Sequence, residues 1–198
     1  MRRQGVARWV IALMMSLSFP LGAMAQDSEV YKGGSFTIEP PAKWLLVSGN
    51  LSENEMKKLP ANVREHYNQR NTDVLFMNIE GTDARPQGFK DSLNIVTVNE
   101  PIPLTEELVK ELSAILKQQY TAMFEQFAVD SIGMRKLRDM DVLEVSGRYT
   151  ILNYDVRLLQ IFVPSKSESL ILTCTFEATR EESVRPLCLR AFESLVLK

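Results

Sequence analysis

Residues 142–176 have the sequence VLEVSGRYTILNYDVRLLQIFVPSKSESLILTCTF. Three runs in this stretch, at residues 142–151, 154–163 and 170–176, are rich in the β-branched, aliphatic and aromatic residues that favour strands. Asn153 and the loop at residues 164–167 separate the runs, and their residue types are typical of turns. Strands that follow one another at hairpin distance predict an antiparallel meander.

Shorter strands are predicted before this meander, because apolar and polar residues alternate or β-branched residues cluster there. They cover residues 35–39, 44–47, 74–79 and 93–98. A strand at residues 127–132 lies at hairpin distance before residue 142 and is predicted to be the first strand of the meander. Residues 52–67 predict a broken helix, because Ser52 begins a capping-box pattern and Pro60 interrupts the helix that it starts. Residues 80–92 contain Gly81, Pro86 and Gly88 and predict a loop.

Two amphipathic helices complete the pattern. The first follows Thr105, and its apolar residues fall at helical spacing on one face. These are Leu108, Leu112, Ile115, Leu116, Tyr120 and Met123. The second covers residues 182–195. Without a repeat or a linker, the pattern predicts one α+β domain over residues 35–198, a mostly antiparallel sheet with the long helix and the C-terminal helix packed on its core face.

The first 25 residues have the three parts of a signal peptide. Arg2, Arg3 and Arg8 form a positive region, residues 9–19 are apolar, and Ala23 and Ala25 are small residues at the cleavage positions. Cleavage after Ala25 would leave a flexible leader at residues 26–34 and no integral membrane segment. The prediction is export to the periplasm or beyond, with an uncleaved N-terminal anchor as the alternative.

Charge argues against a nucleic-acid partner. The whole chain has a net charge of −2, and removal of residues 1–25 takes away three arginines and no acid, which leaves a net charge of −5. No dense run of Lys and Arg occurs after residue 26. Proteins that bind phosphate backbones carry a basic patch or stripe, so nucleic acid is not an expected partner.

Cys174 and Cys188 are the only cysteines of the chain. Alternation places Cys174 on the apolar face of the last strand, and helical spacing places Cys188 on the apolar face of the following helix. A helix packed on that strand could bring the two sulfur atoms together, in a compartment where disulfides persist. The sequence leaves a disulfide and two buried free thiols as open alternatives.

No residue pattern points to catalysis, a metal or a cofactor. His66 is the single histidine, and no Ser or Cys beside it has a nucleophile signature, so a surface or packing role is expected. One His and two distant Cys do not make a zinc set, and no Gly-rich phosphate-binding motif occurs. The sequence therefore predicts a protein that is not an enzyme.

The order of these features resembles the PsbP/Mog-like superfamily. The resemblance rests on Phe36-x-Ile38-x-x-Pro41-x-x-Trp44, the long helix, the hairpin strands, and a last helix that ends Phe192-Glu193-Ser194-Leu195. It covers nearly all of residues 35–197. The resemblance implies an exported protein, like the bacterial DcrB-type envelope proteins. It also implies a role as a scaffold or binding module, which is the role of most members.

The leading functional hypothesis is an exported, non-enzymatic envelope protein that acts as a protein-binding or scaffold module. Residues 154–163 are apolar on both faces towards their end, which a strand covered on one side would not need. We therefore predict a docking face for an envelope protein or an apolar ligand at Leu159, Ile161 and Val163, unless the segment around Trp44 or the loop at residues 80–92 covers them.

Two alternatives remain. In the first, the protein binds a small molecule or lipid in a cavity between the long helix and the sheet. The predicted lining is Trp44, Tyr120, Phe124 and Tyr149. In the second, a chaperone-like protein binds an apolar partner helix beside its own long helix.

Overall fold

The structure, a computed structural model, describes residues 30–48, 72–78, 89–123, 125–151 and 153–198. The predicted signal peptide, residues 26–29 of the predicted leader, the predicted broken helix with His66, and Phe124 all lie outside the described residues.

The described part of the chain contains ten strands and two helices longer than one turn. The strands are β1 (Tyr31–Lys32), β2 (Phe36–Ile38), β3 (Trp44–Ser48), β4 (Thr72–Asn78), β5 (Ser92–Val98), β6 (Glu125–Leu137), β7 (Met140–Ile151), β8 (Tyr154–Pro164), β9 (Ser169–Glu177) and β10 (Val196–Leu197). The helices are α1 (Glu106–Met123) and α2 (Glu181–Glu193). A 3-10 turn at Ala178–Arg180 leads into α2.

The main sheet has seven strands in the order β3-β4-β5-β9-β8-β7-β6, and every neighbouring pair is antiparallel. The predicted meander is confirmed for β6 to β9, because hairpins connect these strands in sequence order. α1 carries the chain from β5, in the middle of the sheet, to β6 at its edge. Thr105 caps this helix, since its Oγ1 accepts a hydrogen bond from the Leu108 backbone N–H at 3.1 Å.

Each face of the main sheet has its own apolar core. On one face, Leu112, Leu116 and Tyr120 of α1 pack with Val145 and Phe162. The α+β class with both helices packed on the sheet is confirmed, but the expectation that both helices share one face is wrong. The physical reason lies in β9, where every residue from Ser169 to Phe176 is buried and both faces therefore need a cover.

The opposite face is covered by α2. Its side chains Val184, Cys188 and Phe192 share a core with strand residues that include Ile161 of β8 and Leu172 of β9. The side chains of β9 alternate between the two cores, since Leu172 lies under α2 and its neighbour Ile171 lies under α1.

A second, three-stranded sheet in the order β1-β2-β10 extends the core on the α2 side. Tyr31 pairs with Ile38 in this sheet, and its ring lies 6.0 Å from that of Phe76, centroid to centroid. The prediction of a flexible leader is therefore wrong for Tyr31–Lys32, because an apolar anchor and strand pairing hold this segment. The end of the chain closes the other edge, where the Lys198 backbone N–H donates to the Ser35 carbonyl at 2.9 Å.

β6 is longer than the predicted strand at residues 127–132, and it bends at two register shifts. The shifts lie between Glu125 and Ala128 and between Val129 and Ser131. Such bulges reverse the alternation of side chains, which hides a long strand from a pattern of period two. Gly147 of β7 lies against the bulged part, where a Cβ atom would meet the Ala128 carbonyl oxygen at 2.9 Å.

We expect Gly147→Ala to lower the free energy of unfolding by about 1–3 kcal/mol, because the added methyl group overpacks a crowded site. The new Cβ would also stand 3.2 Å from Cζ of Phe127. Gly133→Ala is the matched control, since a Cβ there meets no atom of the described residues within 4 Å. Urea unfolding followed by circular dichroism measures both changes, and equal stabilities of the two variants would contradict the prediction.

Candidate functional site

Cys174 and Cys188 form a disulfide in the structure. Their Cα atoms are 6.2 Å apart, and both side chains are buried. Cys174 lies on β9 and Cys188 on α2, so the bridge fastens the helix to the central part of the main sheet. Of the two alternatives that the sequence left open, the structure therefore has the disulfide and not the two free thiols.

The predicted docking face is buried. Leu159, Ile161 and Val163 all belong to the core under α2, and none is more than 2% exposed. The prediction that these residues receive a partner is wrong, because the chain's own C-terminal helix and the small sheet occupy that side. The inference that something must cover the second face of β8 is right.

The predicted pocket is divided between the two cores. Trp44 lies in the core on the α2 side, whereas Tyr120 and Tyr149 lie in the core on the α1 side. The structure does bring the two tyrosines together around Phe127, whose ring centroid is 4.5 Å from that of Tyr120 and 6.4 Å from that of Tyr149. Burial raises the pKa of Tyr149 well above its usual value, and Tyr120 raises it further.

A row of polar side chains lies on the same face as these tyrosines. Gln160 of β8 opposes Thr173 of β9, and its Nε2 donates to the Thr173 Oγ1 at 2.9 Å. Two residues further along β9, the hydroxyl groups of Thr175 and Ser92 are 3.0 Å apart. This buried sheet face is therefore not entirely apolar, and its polar side chains form hydrogen bonds with one another.

The exposed part of the sheet's α2-side face is polar. We call it the charged face and define it by Asp130, Arg148, Arg157, Glu181 and Arg185. Arg148 and Arg157 oppose each other directly on β7 and β8. This pairing is unfavourable because both side chains are positively charged. Asp130 at the β6 bulge offsets it, because its carboxylate lies 3.6 Å from Nε of Arg148 and 3.1 Å from NH1 of Arg157.

The same ion pairs continue onto α2. Glu181, the first residue of α2, lies 2.8 Å from Nε of Arg157 and 3.3 Å from NH1 of Arg185. The charged face therefore has three guanidinium groups and two carboxylates. Arg148 is its most exposed member, with 61% of its side chain accessible and, among the described residues, a single carboxylate as its ion-pair partner.

An open cleft of about 600 Å³ adjoins the charged face at the start of α2. Glu181 and Arg185 belong to both, and Ala178, Thr179, Glu182 and Pro186 form the remaining lining. Sequence reasoning missed this site because its members come from four segments that are distant in sequence. The available signal was the change on β8 from a charged residue at Arg157 to apolar residues at Leu159 and Ile161 on the same face.

A buried carboxylate lies beside the turn that leads into α2. Asp91 is 0% exposed and accepts hydrogen bonds from the Asn78 side chain at 3.1 Å and from the Glu177 backbone N–H at 3.2 Å. Its Oδ2 also lies 2.6 Å from NH1 of Arg180. Burial raises the pKa of Asp91 above its usual 3.8, although Arg180, Asn78 and the Glu177 N–H each lower it. Asp91 thus joins β4, β9 and the turn before α2.

The described residues contain neither a candidate metal site nor a candidate membrane-spanning helix. No group of three or more His, Cys, Asp and Glu side chains among those residues could hold a metal ion. Over the same residues, none of the helices combines the length and the apolar character that crossing a bilayer requires.

The fold has counterparts among solved structures, although no protein-family model and no curated protein matches the sequence. The chain is similar to the solution structure of cyanobacterial PsbP (CyanoP) from Synechocystis sp. PCC 6803, with a TM-score of 0.59, 13% identity, and coverage of 91% of this chain and 98% of that one. It is also similar to LpqN of Mycobacterium tuberculosis, a protein involved in cell envelope biogenesis, with a TM-score of 0.50 and 11% identity. That match covers 84% of this chain and 85% of LpqN.

We expect the Cys174→Ala/Cys188→Ala double variant to be less stable than the oxidised protein by about 3 kcal/mol, because the bridge restricts the unfolded chain across a separation of 14 residues. Urea unfolding with and without dithiothreitol measures the effect. The reductant should lower the unfolding midpoint of the natural sequence and leave that of the double variant unchanged. An unchanged midpoint in both proteins would indicate free thiols.

We expect Arg180→Gln to destabilise the protein by about 2 kcal/mol at about pH 7, because it leaves a buried carboxylate without its cation. The loss of Arg180 raises the folded-state pKa of Asp91 further above its unfolded value, and such a group costs stability as the pH rises through that interval. The deficit should therefore shrink as the pH is lowered to about 4.

Urea unfolding at the two pH values measures this deficit. Arg190→Gln is the matched control, since it makes the same change at an exposed arginine of α2. A deficit that is the same at both pH values would show that Asp91 does not cause it.

Proposed function

We propose, from its PsbP-like fold and its charged face, that this chain is an exported, non-enzymatic envelope protein that binds an acidic segment of a partner protein. The fold predicted from the sequence is confirmed by the likeness to CyanoP. That likeness shows the fold alone, so the function is argued from the surface of this chain.

The observation that carries the proposal is the charged face itself. Its five ionic side chains come from β6, β7, β8 and α2, and ion pairs connect them. Charged groups that are already ordered lose little conformational freedom when a partner binds. Arg148 has the greatest exposure of the set and one carboxylate partner among the described residues, so it is the member most available to a second carboxylate.

Export is the second part of the proposal. Arg2, Arg3 and Arg8 before the apolar run at residues 9–19, and the small residues Ala23 and Ala25, support cleavage after Ala25. The Cys174–Cys188 disulfide supports an oxidising compartment such as the periplasm. LpqN is similar to this chain in fold and is described as involved in cell envelope biogenesis, which is compatible with the same location.

The ligand-binding and chaperone-like alternatives have less support. Trp44 and the tyrosine pair lie on opposite faces of the sheet, so they cannot line one cavity. The described side chains that α1 exposes most are Glu106, Glu107, Lys110, Glu111, Ala114 and Gln118. A surface of this composition offers little apolar area to a partner helix.

We expect Arg148→Glu to abolish partner binding while the fold persists. The new carboxylate would repel an acidic partner segment. It would lose the ion pair with Asp130, but it would lie opposite Arg157, where an opposite charge is favourable. The measurement is in-cell photo-crosslinking of the full chain, followed by envelope fractionation and mass spectrometry of the protein and its adducts. A mature chain that begins at Gln26 would agree with export.

Lys110→Glu serves as the control, because it makes the same charge change at an exposed position of α1. It should leave the crosslinked adducts intact. Adducts that survive Arg148→Glu, or that are lost equally in both variants, would contradict binding through the charged face.

A further inference from the structure

Among the described strands, β6 and β3 are the outer strands of the main sheet, and each exposes a large apolar side chain. Met134 of β6 is 40% exposed and Leu46 of β3 is 38% exposed. Beyond the last β6 bulge, residues 131–137 pair with β7 without interruption, so this edge presents seven residues of regular strand. A regular edge with exposed apolar side chains is a template for pairing with another strand.

The side chains of this segment divide between the two faces. Ile132 and Met134 oppose Val145 and Leu143, which belong to the core under α1. Ser131, Gly133 and Arg135 therefore lie on the α2 side. The edge thus has an apolar side and a polar side, and a second strand must match both.

Two copies of the chain can match both sides through a two-fold axis perpendicular to the sheet. Such an axis places the α1 sides of both copies on the same side of the joined sheet. Directly opposed residues point to the same side, so the axis must pass between a residue and its own copy in the partner. A centre at Gly133 sets Ile132 opposite the partner's Met134, apolar against apolar. It also sets Ser131 opposite the partner's Arg135, hydroxyl against guanidinium.

The neighbouring registers are worse. A centre at Ile132 sets Met134 against the partner's bulge at Asp130, where regular pairing ends. A centre at Met134 sets Ile132 against the partner's Lys136, and a centre at Arg135 sets two like charges opposite each other. Gly133 has no side chain to clash with its own copy at the axis. The space beside it is also open, because no atom of the described residues lies within 4 Å of the position of an added Cβ.

We propose that the β6 edge binds a second copy of this chain, by antiparallel pairing of residues 131–135 centred on Gly133. The two main sheets then join into one continuous sheet. An interface of one short strand pair buries less than a standard protein interface of about 1,600 Å², so the dimer is weak. It should form at about 100 µM protein, the range expected for small interfaces.

A cysteine crosslink tests the register. Directly opposed residues of antiparallel strands have Cβ atoms about 4.5–5.5 Å apart, so Gly133→Cys should give a disulfide-linked dimer under mild oxidation. Ser131→Cys is the matched control, because its two copies stand four residues apart along the strands, about 14 Å. Ser131→Cys should remain unlinked. Equal linkage of both variants, or linkage of neither, would overturn the proposal.

Sedimentation equilibrium of the mature protein with natural residues at 131 and 133 provides the second test. Met134→Lys should raise the dimer dissociation constant at least about tenfold, because it sets an ammonium group opposite the partner's Ile132. Leu46→Lys makes the same change at an equally exposed residue of the other edge and should leave association unchanged. A protein that stays monomeric at about 300 µM, or one that responds to Leu46→Lys alone, would refute the β6 interface.

Discussion

The pairing of β5 with β9 holds the two halves of the main sheet together. It runs over seven residue pairs, from Ser92 opposite Thr175 to Val98 opposite Ser169. Among the described strands, the first half, β3 to β5, and the second half, β6 to β9, have no other pairing in the main sheet. Because the paired strands are far apart in sequence, their association closes a long loop, and burial on both faces must compensate for the entropy lost. The two helices provide that burial, α1 from one side and α2 from the other.

Local patterns predicted most of the individual elements. The strands of the meander and the apolar face of α1 were found correctly, because period-two and period-3.6 patterns are decided by neighbours in sequence. The strand order and the small sheet could not be found in this way. Lys32, Thr37 and Val196 lie side by side across the small sheet, yet the last of them is distant in sequence from the other two. Two-residue strands such as β1 and β10 leave no periodic signal at all.

The failure at Leu159, Ile161 and Val163 has a different cause. Their alternation correctly predicts a second buried face, but the candidates for its cover were a partner, the segment around Trp44 or the loop at residues 80–92, and not α2. α2 supplies it from the end of the same chain, and the disulfide to Cys174 fixes its position. Where this cover ends, at Arg157, the same face becomes charged. The proposed site for a partner thus lies where the cover by α2 ends, and where the strands have polar residues that water or a partner can satisfy.

The charged face and the β6 edge use the same strand in different ways. The charged face uses side chains that point away from α1, whereas the edge uses backbone groups in the plane of the sheet. The two surfaces therefore use different groups, although Asp130 of the charged face lies one residue before the paired segment. A two-fold axis perpendicular to the sheet also keeps both charged faces on the same side of the joined sheet, so the dimer presents two copies of the face to one partner surface. A repetitive acidic partner could then engage both copies, and binding at the first would raise the effective concentration at the second, so that a weak dimer and a weak single contact give tight attachment together.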